Sequence, residues 1–311
     1  MKRFARMAVL MAAVVAAAAG TVTACGDKKA ASGGIGGEDG VFTIAYAPNE
    51  STAASADARK GLADDLGKFL GVKVAEIQAT DYNAIIEALR TGKAEMAYMG
   101  SQALALGRTR TKIEPIAMKA AQGRKDLAVY HSVFIVKSGN SAIKDFKDIK
   151  GKTIAFVDPG STSGNLVPTA EIIKAFPDDK LNSDELHANG KFFQAVSFSG
   201  AHQAGLQAVL KGDVDVVPIS DQILASEIEH GNAPRDSVRV IHESAPIPAE
   251  CMVVSERVKS DDAKKLQDFL VNYKNEKYFT DVIKLPGARF VKASMEDYEP
   301  IIELSKLING R

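Results

Sequence analysis

The sequence predicts an α/β protein of two lobes joined by two crossovers, and three observations carry the prediction. Across 311 residues, 46% are hydrophobic and 25% charged, which is enough to bury a full core in one large or two smaller domains. From Val41 onward, short apolar runs alternate with amphipathic stretches at helical spacing, the pattern of helices packed on sheets. Two turn-rich segments, Lys137-Ser138-Gly139-Asn140-Ser141 and the Pro-rich run from Ser244 to Ala249, read as crossings between lobes. A chain that crosses twice puts its middle third in one lobe and both ends in the other. The cleft between the lobes is then a natural ligand site.

The N-terminus precedes this fold. Lys2, Arg3 and Arg6 form a positive region, and the apolar run from Met7 to Ala19 is too short to be a convincing membrane span, so residues 1–25 read as an export signal. Val22-Thr23-Ala24-Cys25 resembles the bacterial lipobox, whose cysteine is acylated and becomes the mature N-terminus. The resemblance implies a lipid anchor at Cys25 that holds the protein to the outer face of the membrane without spanning it. Residues 26–40, GDKKAASGGIGGEDG, lack an apolar face and read as a flexible tether. Their glycines follow no strand, which excludes a dinucleotide loop.

Strands are expected at 42–46, 72–77, 96–99, 116–119, 133–136, 153–157, 192–196, 214–217, 238–242 and 252–254. Between them, Leu62, Leu66, Phe69 and Leu70 mark one helical stripe, Ile85, Ile86 and Leu89 a second, and Leu206, Val209 and Leu210 a third. Residues 166–176 can form a further helix, with Pro168 tolerated in its first turn. The expected lobes are 41–136 plus 247–311, and 137–246. No internal repeat is present.

Composition excludes several functions. Thirty-nine basic and 39 acidic residues give a net charge of zero, and no basic and aromatic interleaving suggests nucleic acid. The five histidines have no metal-ligand spacing, so neither metal nor cofactor is expected. Gly151-Lys152-Thr153 looks like the end of a phosphate-binding loop, but Phe146 stands where its first glycine belongs and a strand follows. Gly-x-Ser-x-Gly is absent around Ser199. With Cys25 acylated, Cys251 has no partner, and beside Met252, Val253 and Val254 it reads as a small buried hydrophobe.

The chemistry concentrates in DPGSTSGNLVP, residues 158–168. Ser161, Thr162 and Ser163 sit between glycines, after an expected strand and before an expected helix. One hydroxyl suffices to cap a helix, and three exceed that need. Hydroxyls beside the unpaired N–H groups of a helix N-terminus make an anion site without formal positive charge. His202, just before another helix, is placed to donate to the same anion or to face solvent. Asp221 falls at a helix start as a cap or a site carboxylate, and Glu250 lies at the second crossover. Tyr82 opens a helix behind Thr80 and Asp81, and Tyr130 precedes a strand.

Together, ATDYNAIIEAL (79–89), YHSVFIVKSGN (130–140), DPGSTSGNLVP, GAHQAGLQAVLKGDVDVV (200–217) and PIPAE (246–250) resemble the phosphonate-, phosphite- and phosphate-binding proteins of bacterial ABC importers, from about Val41 onward. The resemblance implies a type II periplasmic-binding-protein fold that closes on its ligand and does no chemistry. It implies that Ser161, Thr162 and Ser163 hold phosphorus-bound oxygens, that His202 donates, and that Tyr82 and Tyr130 contact the anion or wall the cleft. Glu250 stands where the family often has Asp, Met99 where several members carry an aromatic, and Gln222 rivals Asp221 for one position. The implied partners are a small phosphorus oxyanion and an ABC permease, for a monomeric extracytoplasmic lipoprotein. Two rivals stay open: an anchored sensor of the same fold, and a phosphohydrolase with Ser161 as nucleophile, for which no activating base, metal cluster or leaving-group acid is visible.

Overall fold

A computed structural model describes residues 35–37, 39–50 and 53–310. The export signal, Cys25 and residues 26–34 of the tether lie outside the described residues. In order, the chain forms β1 (Val41–Tyr46), α1 (Ala53–Leu70), β2 (Lys73–Gln78), α2 (Tyr82–Thr91), β3 (Met96–Met99), α3 (Ser101–Gly107), β4 (Ile113–Ala120), β5 (Val129–Tyr130), β6 (Ser132–Lys137) and β7 (Thr153–Phe156). It continues through α4 (Val167–Ala175), α5 (Ser183–His187), β8 (Ala195–Phe198), α6 (His202–Lys211), β9 (Val216–Ser220), α7 (Asp221–Glu229) and β10 (Val238–Glu243). It ends with β11 (Ile247–Pro248), β12 (Cys251–Ser255), α8 (Ser260–Asn272), α9 (Glu276–Asp281), β13 (Arg289–Lys292) and α10 (Glu299–Asn309).

Alternating apolar runs and helices resolve into two mixed sheets. One has the order β13-β4-β12-β3-β1-β2, with β1 parallel to both β2 and β3 and with β12 antiparallel to β3 and β4. The other has the order β10-β6-β9-β7-β8, with β7 parallel to β8 and β9. Phe42, Ile44, Tyr98 and Met252 turn one face of the first sheet onto Leu62 and Leu66 of α1 and Leu266 and Leu270 of α8, all of them buried. Phe134, Ile154, Phe156 and Val216 bury one face of the second sheet with Ile172 of α4 and Leu186 of α5. This is the two-lobed α/β fold with two crossovers that the sequence predicts.

The first crossing is not where the turn residues after Val136 suggest. Ser132–Lys137 lies inside the second sheet, paired to both β9 and β10, so the chain crosses between Tyr130 and Ser132 and not at residues 137–141. The turn residues end a strand correctly, but which sheet that strand joins is decided by remote partners. Both crossings run side by side: β5 and β11 pair antiparallel, Tyr130 opposite Ile247, as a ribbon between the lobes. The strand expected at 192–196 also shifts, to Ala195–Phe198. Phe192 and Phe193 are buried but precede it, because apolar side chains here fill the core from a turn.

Candidate functional site

A cavity of about 20 Å³ lies between the lobes, lined by Ala47, Asn49, Tyr82, Tyr98, Met99 and Gly100 from the first lobe, Tyr130 and Glu250 from the crossings, and Ser161, Thr162, Ser163 and His202 from the second. Larger hollows, of about 140 to 550 Å³, lie elsewhere on the described surface, but none of them includes the hydroxyl trio or His202. The placement follows from topology. Asn49, Tyr82 and Gly100 follow the C-terminal ends of the parallel strands β1, β2 and β3, and the hydroxyl trio and His202 follow those of β7 and β8. Ligands of open α/β sheets bind at such ends.

Helix starts supply half of the wall. Tyr82 is the first residue of α2 and His202 the first of α6, while Gly100 caps α3. Thr162–Leu166 forms a π-helical turn ahead of α4, so helical backbone begins earlier than the 166–176 expected from sequence. Ser161 is the cap of that turn, its Oγ accepting from Gly164 N (3.0 Å). Capping this turn therefore uses one hydroxyl, and Thr162 and Ser163 are buried without that task; the Thr162 hydroxyl instead faces the start of α3. Single π-turns recur at functional sites because they re-aim side chains by one position.

Across the cleft, Gln102 N donates to Thr162 Oγ1 (2.9 Å) and His202 N donates to Asn49 Oδ1 (3.3 Å), while Asn49 Nδ2 donates to the Tyr82 hydroxyl (2.6 Å). Gln203 Nε2 also donates to Asn49 O (3.1 Å). The Tyr130 hydroxyl interacts with those of Ser163 and Thr162, and burial holds its pKa well above the usual phenol value, so it remains a donor. Ser220 N donates to His202 Nδ1 (3.2 Å), which leaves the imidazole proton on Nε2. Burial, and secondarily the charge of Lys119, lowers the His202 pKa to about 3. His202 is therefore a neutral donor and too weak a base to activate a serine.

Of the residues singled out in the sequence, Tyr82, Tyr130, Ser161, Thr162, Ser163, His202 and Glu250 meet at this cavity. Asp221 does not. Its Oδ1 accepts from His131 N (3.0 Å) and Gln222 N (2.8 Å), and its own N donates to His131 O, so it braces the first crossing; burial raises its pKa. Gln222 does not line the cavity either, and its Nε2 donates to Val129 O (3.3 Å). The physical reason is local: Ser220 ends β9 and caps α7, so the chain turns into a helix at Asp221, whose carboxylate is taken up by the His131 and Gln222 amides. Asn49, Tyr98 and Lys119 were missed. Lys119, 3% exposed, pairs with Glu250 (Nζ to Oε2, 2.7 Å). A lysine inside an apolar strand is itself a signal, since such a charge is rarely buried without a partner. Cys251 is fully buried and its thiol pKa is pushed up to about 12, as befits a core residue.

A cavity between two α/β lobes, walled by hydroxyls, a neutral imidazole and helix N-termini and joined by paired crossings, defines a periplasmic-type solute receptor. The profile of the family described as "ABC transporter, phosphonate, periplasmic substrate-binding protein" matches residues 44–298, and the chain belongs to that family. It is a binding protein and not an enzyme. It is 26% identical over 274 residues to the "Phosphate-import protein PhnD" of Mycolicibacterium smegmatis, covering 87% of this chain and 84% of that protein. It is 28% identical over 214 residues to the "Phosphonates-binding periplasmic protein" of Escherichia coli, covering 67% and 59%. Its fold is similar to that of PhnD1 from Prochlorococcus marinus, solved in complex with methylphosphonate, with TM-score 0.73 and 19% identity over 88% of this chain and 99% of that one.

Proposed function

We propose that the protein is an extracytoplasmic lipoprotein, anchored through Cys25 and monomeric, that captures a small phosphorus oxyanion between its lobes and delivers it to an ABC permease. One observation carries the reading: hydroxyls and helix N-termini from both lobes converge with the His202 Nε2–H on one enclosed cavity, whose lining includes no cation. Such a site stabilises an oxyanion by directed hydrogen bonds and helix dipoles. Ser161, Thr162, Ser163, Tyr82, Tyr130 and His202 hold the oxygens, and Glu250 accepts a P–OH. The names of the relatives, which concern phosphate and phosphonates, support this ligand class.

Titration calorimetry against phosphate, phosphite and methylphosphonate, with sulfate as competitor, tests the ligand. Sulfate offers Glu250 no proton near neutral pH, and a site built around a donor can reject an analogue lacking it by about 10⁴-fold. Sulfate competing as well as phosphate or phosphite would sink the reading. Thr162→Ala should weaken binding by roughly one to two orders of magnitude, the worth of a hydrogen bond to a charged group. The anchor is tested separately, because Cys25 lies upstream of the folded residues. Cys25→Ser should release the protein from membranes with unchanged affinity, and persistent membrane fractionation after a salt wash counts against acylation.

A further inference from the structure

Lys119 changes what Glu250 can do. It sits near the end of β4, and the backbones already pair, with Lys119 N donating to Glu250 O (3.2 Å). The 2.7 Å approach of Nζ to Oε2 is an ion pair without hydrogen-bond alignment, so that oxygen retains its capacity to accept. The other neighbours of Nζ are the Ile283 carbonyl (3.5 Å) and the Tyr130 ring (5.6 Å to its centroid). The cavity wall includes Glu250 and Tyr130 but not Lys119, so the ammonium stands behind the carboxylate.

We propose that Lys119 determines specificity: by neutralising Glu250 from behind, it makes the cavity select phosphite or phosphate, which carry a P–OH and no cationic arm, over phosphonates bearing an ammonium. The inference rests on the phosphorus-oxyanion reading above and narrows it. A carboxylate without a partner would attract a ligand ammonium, but this one is already held at 2.7 Å by a buried cation, and a second ammonium would meet like charge. A ligand P–OH meets the opposite situation. It donates to Oε2 while Lys119 offsets the repulsion between carboxylate and anion.

The test is calorimetric titration of the purified protein, at fixed ionic strength, with phosphite, phosphate, methylphosphonate and 2-aminoethylphosphonate. Phosphite or phosphate should bind at least about thirtyfold more tightly than the aminoethyl compound, the lower bound for disrupting a buried charge pair. Lys119→Met should weaken phosphite and phosphate by a similar factor and narrow or reverse the preference, a change that a merely structural lysine would not produce. Adding Glu250→Gln to that variant should restore part of the oxyanion affinity without restoring affinity for the ammonium compound. Equal binding of 2-aminoethylphosphonate and phosphite by the natural protein, or an unchanged order in Lys119→Met, overturns the role of Lys119 and leaves the phosphorus reading standing. Failure of all four compounds to bind overturns both.

Discussion

His202 shows how much one backbone contact decides. Because Ser220 N occupies Nδ1 and burial disfavours the cation, the ring stays neutral and its Nε2–H is the group available to a ligand. The same depression is a stability effect with a definite sign. The pKa is about 3 in the folded protein against about 6.5 unfolded, so below pH 6.5 the unfolded chain takes up a proton that the folded one refuses. Stability is therefore complete above that pH and lost as pH falls toward 3. Between pH 7.5 and 5.0 this histidine should cost the natural protein about 2 kcal/mol, and His202→Gln should lack that loss. Urea unfolding at the two pH values checks it, and equal losses in both proteins would contradict a buried neutral imidazole. Tyr82 and Tyr130 were legible in the sequence only through resemblance, since an aromatic near a helix or strand start is ordinary packing by itself.

At the scale of elements, the π-turn carrying Thr162 and Ser163 depends on Gly164. A Cβ there would run into the side chain of Val157, the residue after β7, besides crowding Ser161 Oγ. Gly164→Ala should therefore cost about 1–3 kcal/mol through overpacking and also weaken ligand binding, because relief of the clash displaces the capping serine. Gly139→Ala, where a Cβ meets nothing, is the control and should stay within about 0.5 kcal/mol. Denaturant midpoints at constant slope, together with calorimetry, separate the two effects, and full affinity in a destabilised Gly164→Ala protein would show that the turn does not aim the hydroxyls. The helix after DPGSTSG was legible from its cap and apolar spacing. The π geometry was not, because an extra residue in a turn leaves no mark on a 3.6-residue period.

For the whole molecule, the consequential residue is Asn49, which ties Tyr82 in its own lobe to His202 and Gln203 in the other. Its contacts to His202 and Gln203 exist only when the lobes meet, so they bias the equilibrium toward the binding-competent state. Asn49→Ala should raise the apparent dissociation constant by roughly two- to tenfold, the worth of one ordinary hydrogen bond, through a smaller closed fraction. The radius of gyration of the ligand-saturated variant by small-angle scattering should match that of the natural protein. An unchanged affinity would show that closure does not depend on this bridge.

The chain's local chemistry was readable without coordinates: alternating periodicities established an α/β protein, and three hydroxyls at a helix start marked the segment from which an anion site is proposed. Those features are local, since capping and periodicity act within a few residues. Only the tertiary structure decided that Ser132–Lys137 belongs to the second sheet, that Asp221 braces the crossing, and that Lys119 meets Glu250. Such outcomes depend on strand pairing and on which side of a pleat a residue falls, and a shift of one residue reverses that side. Sequence separation carries no information about it, so a carboxylate marked for a ligand proved to be partly claimed by a lysine from another strand.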